Sequence, residues 1–268
     1  RIKLRTAFES INYHLDKWEN VNFVSRDSDV NISGWLFNYY PNKPIVIVVH
    51  GIFPNGKCNS EPNLVASLLV NNNINALTID LRNYGQSTII SQYENLGLTE
   101  YLDVLGAYDF LQTREFKKHQ IGLLGISLGA STVIFAASYE PAIKAIWSES
   151  SLAEFNMVLT DEIGRYGFPN IFGPAVSLAG KLLTGIDPTD LNPAYALSNH
   201  QNYFFTHGGK DQRMFVSHFN FIRSYATANS INAEYWLAHD AGHVDLMLMH
   251  PEEYGSRMKI FFEKYLRN

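Results

Sequence analysis

A serine stands between two glycines in Gly125-Ile126-Ser127-Leu128-Gly129, directly after the apolar run Ile121 to Leu124. A serine hydroxyl is a poor nucleophile until it is held clear of the backbone, beside a base and facing donors that stabilise an oxyanion. A sharp strand-to-helix turn achieves this, but it strains the serine and crowds the residues two places away on each side. Glycine at both places removes the crowding side chains. The stretch Leu128 to Tyr139, with Ala130, Val133, Ile134 and Ala137 at helical spacing, supplies the helix. Its free N–H groups and positive dipole end favour negative charge at Ser127. A G-x-S-x-G in a loop is usually just a flexible turn, and it is the apolar run before it and the helix after it that favour a nucleophile elbow.

Such a serine needs a base, and the base needs an orienting acid. Of the nine histidines, His243 is the best placed, after the last strand-like run and in the loop Ala238-His239-Asp240-Ala241-Gly242-His243. For the acid, Asp211 in His207-Gly208-Gly209-Lys210-Asp211 follows the penultimate strand, with Glu149 the second choice. Asp240 is too close in sequence to His243 to approach its ring from behind. The second oxyanion donor, besides the Leu128 N–H, falls in His50-Gly51-Ile52-Phe53. There the Ile52 N–H is the expected donor and Phe53 the fallback. His50 reads as structural, hydrogen-bonding the neighbouring loops. The run Asp80 to Ser87 reads as a loop-fixing network. Cys58, the single cysteine, has no elbow or paired base around it and reads as an inert thiol. His239 and His243 stand four apart in a glycine-containing loop and not on a helix, so no metal is expected.

The elements that must position these residues alternate along the chain. Val21 to Ser25 and Val30 to Phe37 read as an antiparallel pair around an Asp27-Ser28-Asp29 turn. Ile45 to Val49 is continuously apolar and β-branched, as in a strand buried on both faces of a parallel sheet. Helices are expected over Leu64 to Val70, Leu98 to Leu111 and Leu128 to Tyr139, and strands over Ile74 to Ile79, Ile121 to Leu124 and Ile143 to Trp147. That alternation predicts an α/β fold, a mostly parallel sheet flanked by helices, with ligands outside the carboxyl ends of the strands. It breaks from about 151 to 200, an apolar stretch interrupted by Gly and Pro that reads as a small helical cap inserted into a single domain spanning 1–268. Strands over Tyr203 to Thr206 and Ala233 to Leu237, with helices over Phe215 to Tyr225 and Pro251 to Leu266, complete the chain.

At 268 residues and 46% hydrophobic content the chain can bury a large core. A formal net charge of -5 without a Lys/Arg cluster argues against a nucleic-acid partner. One cysteine leaves no intramolecular disulfide framework.

On these segments the chain resembles the α/β-hydrolase superfamily from about Val21 to Leu266. The segments that carry the resemblance are His50-Gly51, Asp80 to Ser87, Gly125 to Gly129, and the Asp211 and His243 loops. The chain order Ser127, Asp211, His243 is the one expected of that superfamily. The chain looks most like the short-capped carboxylesterases, lysophospholipases and serine-aminopeptidase-like hydrolases, whose ending is similar to Gly242-His243 with Pro251 to Tyr254 and Arg257. Asn83 departs from the glycine usual in the Asp80 loop. The resemblance implies a serine hydrolase that cleaves small-molecule esters or thioesters of small to medium apolar acyl groups through an acyl-enzyme, without a cofactor. An aminopeptidase, with Glu149, Glu154 or Asp161 receiving a free amine, and a triad-retaining binding protein are the alternatives. Many bacterial relatives carry an N-terminal anchor or export signal, so membrane contact is expected only through a segment preceding Arg1. The compartment stays open between the cytoplasm and an anchored or exported state.

Overall fold

Strands buried on both faces form the middle of the molecule. The structure, a computed structural model, describes residues 7, 9–10, 13–27 and 29–266, so Ser28 in the expected first turn lies outside the described residues. The strands are β1 (Glu19–Val24), β2 (Asn31–Phe37), β3 (Ile45–Val49), β4 (Asn75–Ile79), β5 (Ile121–Ile126), β6 (Ala145–Glu149), β7 (Asn202–Gly208) and β8 (Asn232–Ala238). They form one sheet in the order β1-β2-β4-β3-β5-β6-β7-β8. β1 and β2 are antiparallel to each other, as are β2 and β4, and the remaining neighbours are parallel. β3, β4 and β5 have every residue buried, as expected of the unbroken apolar run of β3, while β4 buries Asn75 and Thr78 among its apolar residues.

The helices are α1 (Ser60–Asn71), α2 (Tyr101–Thr113), α3 (Leu128–Tyr139), α4 (Phe155–Arg165), α5 (Gly173–Thr184), α6 (Val216–Ala228), α7 (Leu246–Met249) and α8 (Pro251–Tyr265). One core layer joins α2, α3 and α6 to the sheet, and includes Val104, Tyr108, Val133 and Phe219. The other joins α1, α7 and α8, and centres on Trp147, whose ring stacks on Phe204 at 4.1 Å and meets Tyr254 at 5.1 Å. Between β6 and β7 the chain makes α4, α5 and three 3-10 turns at 170–172, 188–190 and 193–196. No helix among the described residues is long and apolar enough to cross a membrane.

The differences from expectation are the unexpected short helix α7 and shifts at element ends. α1 starts at Ser60, four residues before the expected Leu64, because its polar first turn (Ser60, Glu61) gives no apolar signal. α2 starts at Tyr101 and not Leu98, since Gly97 takes a left-handed turn (φ 110°) and Glu100 accepts from the Gly97 and Thr99 N–H groups. β6 lies two residues further on than Ile143 to Trp147, because the buried Ser148 and Glu149 at its end are polar.

Candidate active site

Parallel strands bring their carboxyl ends to one edge. Ser127 follows β5, the His50 loop follows β3, Asp211 lies three residues past β7, and His243 five residues past β8. Ser127 takes a left-handed backbone (φ 55°, ψ -111°) between the last residue of β5 and the first of α3. The flanking glycines are sterically required. A Cβ on Gly125 would stand 2.1 Å from the Gly129 carbonyl oxygen, and one on Gly129 would stand 2.2 Å from that of Val49. α3 can therefore press onto β3 and β5, and the Ser127 side chain projects beyond the sheet.

Ser127 Oγ lies 3.0 Å from His243 Nε2, and His243 Nδ1 lies 2.7 Å from Asp211 Oδ2. An ionised Asp211 accepts a hydrogen bond from His243 Nδ1–H, which leaves Nε2 as the acceptor for the serine hydroxyl. Asp211 is buried. The N–H groups of Arg213 and Met214 each donate to its Oδ1 at 2.8 Å. Burial alone would raise its carboxyl, but the bond from His243, the field of that ring and the Met214 N–H outweigh burial and hold it below the usual carboxylate range. The acid thus stays charged beneath the imidazole. Val244, directly after His243, is β-branched yet left-handed (φ 57°), a strained turn of the kind that collects at functional sites.

Leu128 is the first residue of α3, so its N–H has no partner within the helix. The loop opposite touches the serine, since a Cβ on Gly51 would stand 3.0 Å from Ser127 Cβ. Phe53 donates its N–H to the Gly51 carbonyl at 2.8 Å, which removes it as the fallback donor and leaves Ile52 on that loop. Two side chains hold the loop. His50, fully buried, donates through Nδ1 to the Gly51 carbonyl at 2.6 Å and accepts at Nε2 from the Leu81 N–H at 3.1 Å. Burial lowers its affinity for a second proton, so it serves as a neutral bracket between two loops.

The second is Lys57, which is also fully buried. Its Nζ is paired with Asp80 Oδ2 and donates to Ser33 Oγ at 3.0 Å, while its own N–H donates to Asp80 Oδ1 at 2.6 Å. Asp80 is indeed part of a loop-fixing network, although its main partner is this lysine. Arg82 is tied to the buried Asp103, with Nη2 at 2.7 Å from its Oδ1.

The other acids are engaged elsewhere. Glu149, buried at the end of β6, accepts from Tyr254 Oη at 2.7 Å, and its second oxygen has no partner. Burial, with Asp211 and Asp245 nearby, pushes its carboxyl up to about 8. Asp161 meets His218 Nε2 at 3.0 Å, Glu154 accepts from Tyr195 Oη at 2.9 Å, and Asp240 contacts His250 Nε2 at 3.0 Å. Cys58 is exposed.

Sequence reasoning missed Lys57, for which no signal exists, since a lysine in a polar loop reads as solvated. It also missed the Arg213 and Met214 amides. These could have been read from the tendency of Asp to accept from backbone groups two and three residues ahead.

A chain that sets a strained serine at a strand-to-helix turn in a mostly parallel sheet belongs to a defined class. The profile of the alpha/beta hydrolase fold family matches residues 44–192, and the chain belongs to that family. It is 28% identical over 142 residues to a thiohydrolase of Aspergillus aculeatus, a match that covers 51% of this chain and 42% of that protein. Among solved structures it is similar to the Pyrococcus furiosus esterase Pf2001, with a TM-score of 0.74, 21% identity, and 97% of this chain and 96% of that one covered. It is also similar to the Pyrococcus horikoshii acylaminoacyl peptidase, with a TM-score of 0.71, 18% identity, and coverage of 97% and 44%.

Proposed function

We propose that the protein is a serine hydrolase that cleaves small-molecule carboxylic esters or thioesters of small to medium apolar acyl groups. The observation that carries this reading is the hydrogen-bonded chain from Ser127 Oγ through His243 to Asp211, built on a strained elbow. In the first step Ser127 Oγ adds to the acyl carbon as its proton passes to His243 Nε2. The oxyanion is held by the Leu128 and Ile52 N–H groups. The C–O or C–S bond then breaks, and His243 returns the proton to the leaving alkoxide or thiolate. Water attacks the acyl-serine by the same route in reverse, releasing the acid and restoring Ser127.

The acyl preference is supported by a cavity of 270 Å³ between α4, α5 and the 94–98 loop, lined by Leu96, Leu98, Phe155, Leu159 and Leu191. Its floor is linked to the elbow, because Ser131, one turn into α3, donates to the Leu96 carbonyl at 2.9 Å. An apolar cavity with few polar groups suits an apolar group. The acids that a free amine would require, Glu149, Glu154 and Asp161, are each engaged by another side chain, which disfavours the aminopeptidase reading.

A fluorophosphonate probe should label the wild-type protein, and Ser127→Ala and His243→Ala should abolish the labelling. Turnover of short to medium acyl esters should fall by on the order of 10⁴ or more in Ser127→Ala. Full activity in a folded Ser127→Ala protein would sink the proposal.

A further inference from the structure

Helix α5 is apolar on two opposite faces. Inward, Val176, Gly180 and Thr184 line the 270 Å³ cavity. Outward, Ala175, Leu178, Ala179 and Leu182 follow at i, i+3, i+4 and i+7, and all four are exposed. An ordinary surface helix carries polar residues there. The apolar surface runs back along the chain, where Phe168 meets Phe172 edge-on at 6.2 Å and Ile171 is 83% exposed. Tyr166, Phe168, Ile171, Leu178 and Leu182 are all more than half exposed. With ~150–250 Å² for a large aromatic side chain and rather less for an aliphatic one, these five present roughly 700 Å². That exceeds the ~300–600 Å² of the largest patch on a typical monomer.

We propose that this outer face of α5, with the 166–172 turn beside it, is a self-association surface on which α5 of a second copy of this chain packs across a twofold axis. The area comes close to the ~800 Å² per partner of a standard stable interface. The i, i+3, i+4, i+7 stripe is the ridge that another helix fills, and a twofold axis lets one uncharged stripe meet its own copy without opposed charges. The charges that border the patch are neutralised within their own chain. Lys181 Nζ lies 2.5 Å from Asp187, and Arg213 pairs with Glu162 at 2.6 Å.

A lipid surface fits less well. The chain carries a net charge of -5, and among the described residues the patch has no fringe of unpaired Lys/Arg to draw it onto anionic headgroups. The described N-terminal residues lie elsewhere, with Ala7 packed in the α1 and α8 core layer and the His14 N–H donating to Ser67 Oγ at 3.1 Å. Holding α5 from outside also fixes the wall that its inner face gives to the cavity, so association would stabilise the cap.

Sedimentation velocity of the full chain over a micromolar concentration series tests this. The expected mass is twice the chain's 30.4 kDa. Leu178→Glu with Leu182→Glu should weaken association roughly tenfold or more, as loss of central anchors does. These side chains point to solvent, so an unchanged melting transition at monomeric dilution separates lost association from lost folding. In a Cys58→Ser background, Leu178→Cys near the axis should cross-link on oxidation, while Tyr139→Cys, exposed on α3, should not. A wild-type protein that stays monomeric throughout, or a dimer that the double substitution leaves unchanged, overturns the proposal. So does a monomer that floats with phosphatidylcholine vesicles in a manner dependent on Leu178 and Leu182, which would assign the patch to lipid.

Discussion

Glu149 shows how a single residue beneath the site sets its response to pH. Its carboxyl is pushed from the ordinary glutamate value of 4.5 up to about 8 by burial, reinforced by Asp211 and Asp245. Between those two values the native state holds a proton that the unfolded chain has released, so stability falls as pH rises. Below about pH 4.5 both states are protonated and there is no penalty. Above about pH 8 both are ionised and the penalty is complete. At pH 7 it is on the order of 3 kcal/mol. Glu149→Gln retains an acceptor for Tyr254 Oη and removes the titration. The melting temperature of the variant relative to wild type should therefore climb by several degrees between pH 5 and pH 8. Two parallel curves in a pH series of thermal melts would contradict this account. Asp211 is the opposite case, because two amides and His243 favour its charged form. Two buried carboxyls at neighbouring strand ends thus have opposite protonation, which makes Asp211 the better partner for an imidazolium.

At the scale of elements, the position of α3 against the sheet depends on backbone approaching backbone. Gly129→Ala places a methyl 2.2 Å from the Val49 carbonyl oxygen, where no side chain can yield. The helix must move outward, taking Ser127 away from His243. A loss of roughly 3 kcal/mol is expected from urea unfolding, at the upper end for overpacking, and any folded fraction should label poorly with a fluorophosphonate. Wild-type stability in this variant would show that α3 is not so tightly seated. This requirement was legible in the sequence, because G-x-S-x-G states it in glycines. β3 and the helix after Ser127 were legible to the residue for a related reason, since full burial leaves an unbroken apolar or helical period. The ends of α1, α2 and β6 were not, because they are set by polar groups that satisfy backbone: the Glu100 turn, and the buried Ser148 and Glu149. Lys57 was illegible as an anchor, and Arg82, although read as part of the loop-fixing network, could not be given its partner. Their partners are 23 and 21 residues away, and only the folded sheet brings them together. The His50 to Phe53 loop, proposed to give the second oxyanion donor, is similar: sequence places it after β3, but only the Phe53 to Gly51 bond distinguishes Ile52 from Phe53.

At the scale of the whole molecule, burial is divided unequally, and dynamics should follow. β3, β5 and β6 are buried throughout, whereas α4 buries only Phe155 and Ile163, and α5 only Gly173. Few buried apolar contacts and solvent-exposed helical hydrogen bonds mark segments that open locally, well below the free energy of global unfolding. Beyond the apolar cluster in which Phe155 packs with Phe135, Leu152 and Leu191, the 155–184 region is fastened to the body by a small set of polar contacts. His218 on α6 accepts the Ala153 N–H at 2.9 Å through Nδ1 and meets Asp161 of α4 through Nε2. Arg165 donates to the Gln212 and Arg213 carbonyls at 3.1 and 2.9 Å, on the loop that carries Asp211. On the function proposed above, such an arrangement suits a cap that admits a substrate while the Ser127, Asp211 and His243 framework stays fixed. Hydrogen exchange on dilute, monomeric protein should find the α4 and α5 amides exchanging at least ~100-fold faster than those of β3 and β5, a gap of about 3 kcal/mol in opening free energy. His218→Ala should widen that gap by freeing Ala153 and Asp161, with β5 protection lowered far less. Equal protection across cap and sheet would mean that the molecule opens as one unit, and substrate entry would then need another route.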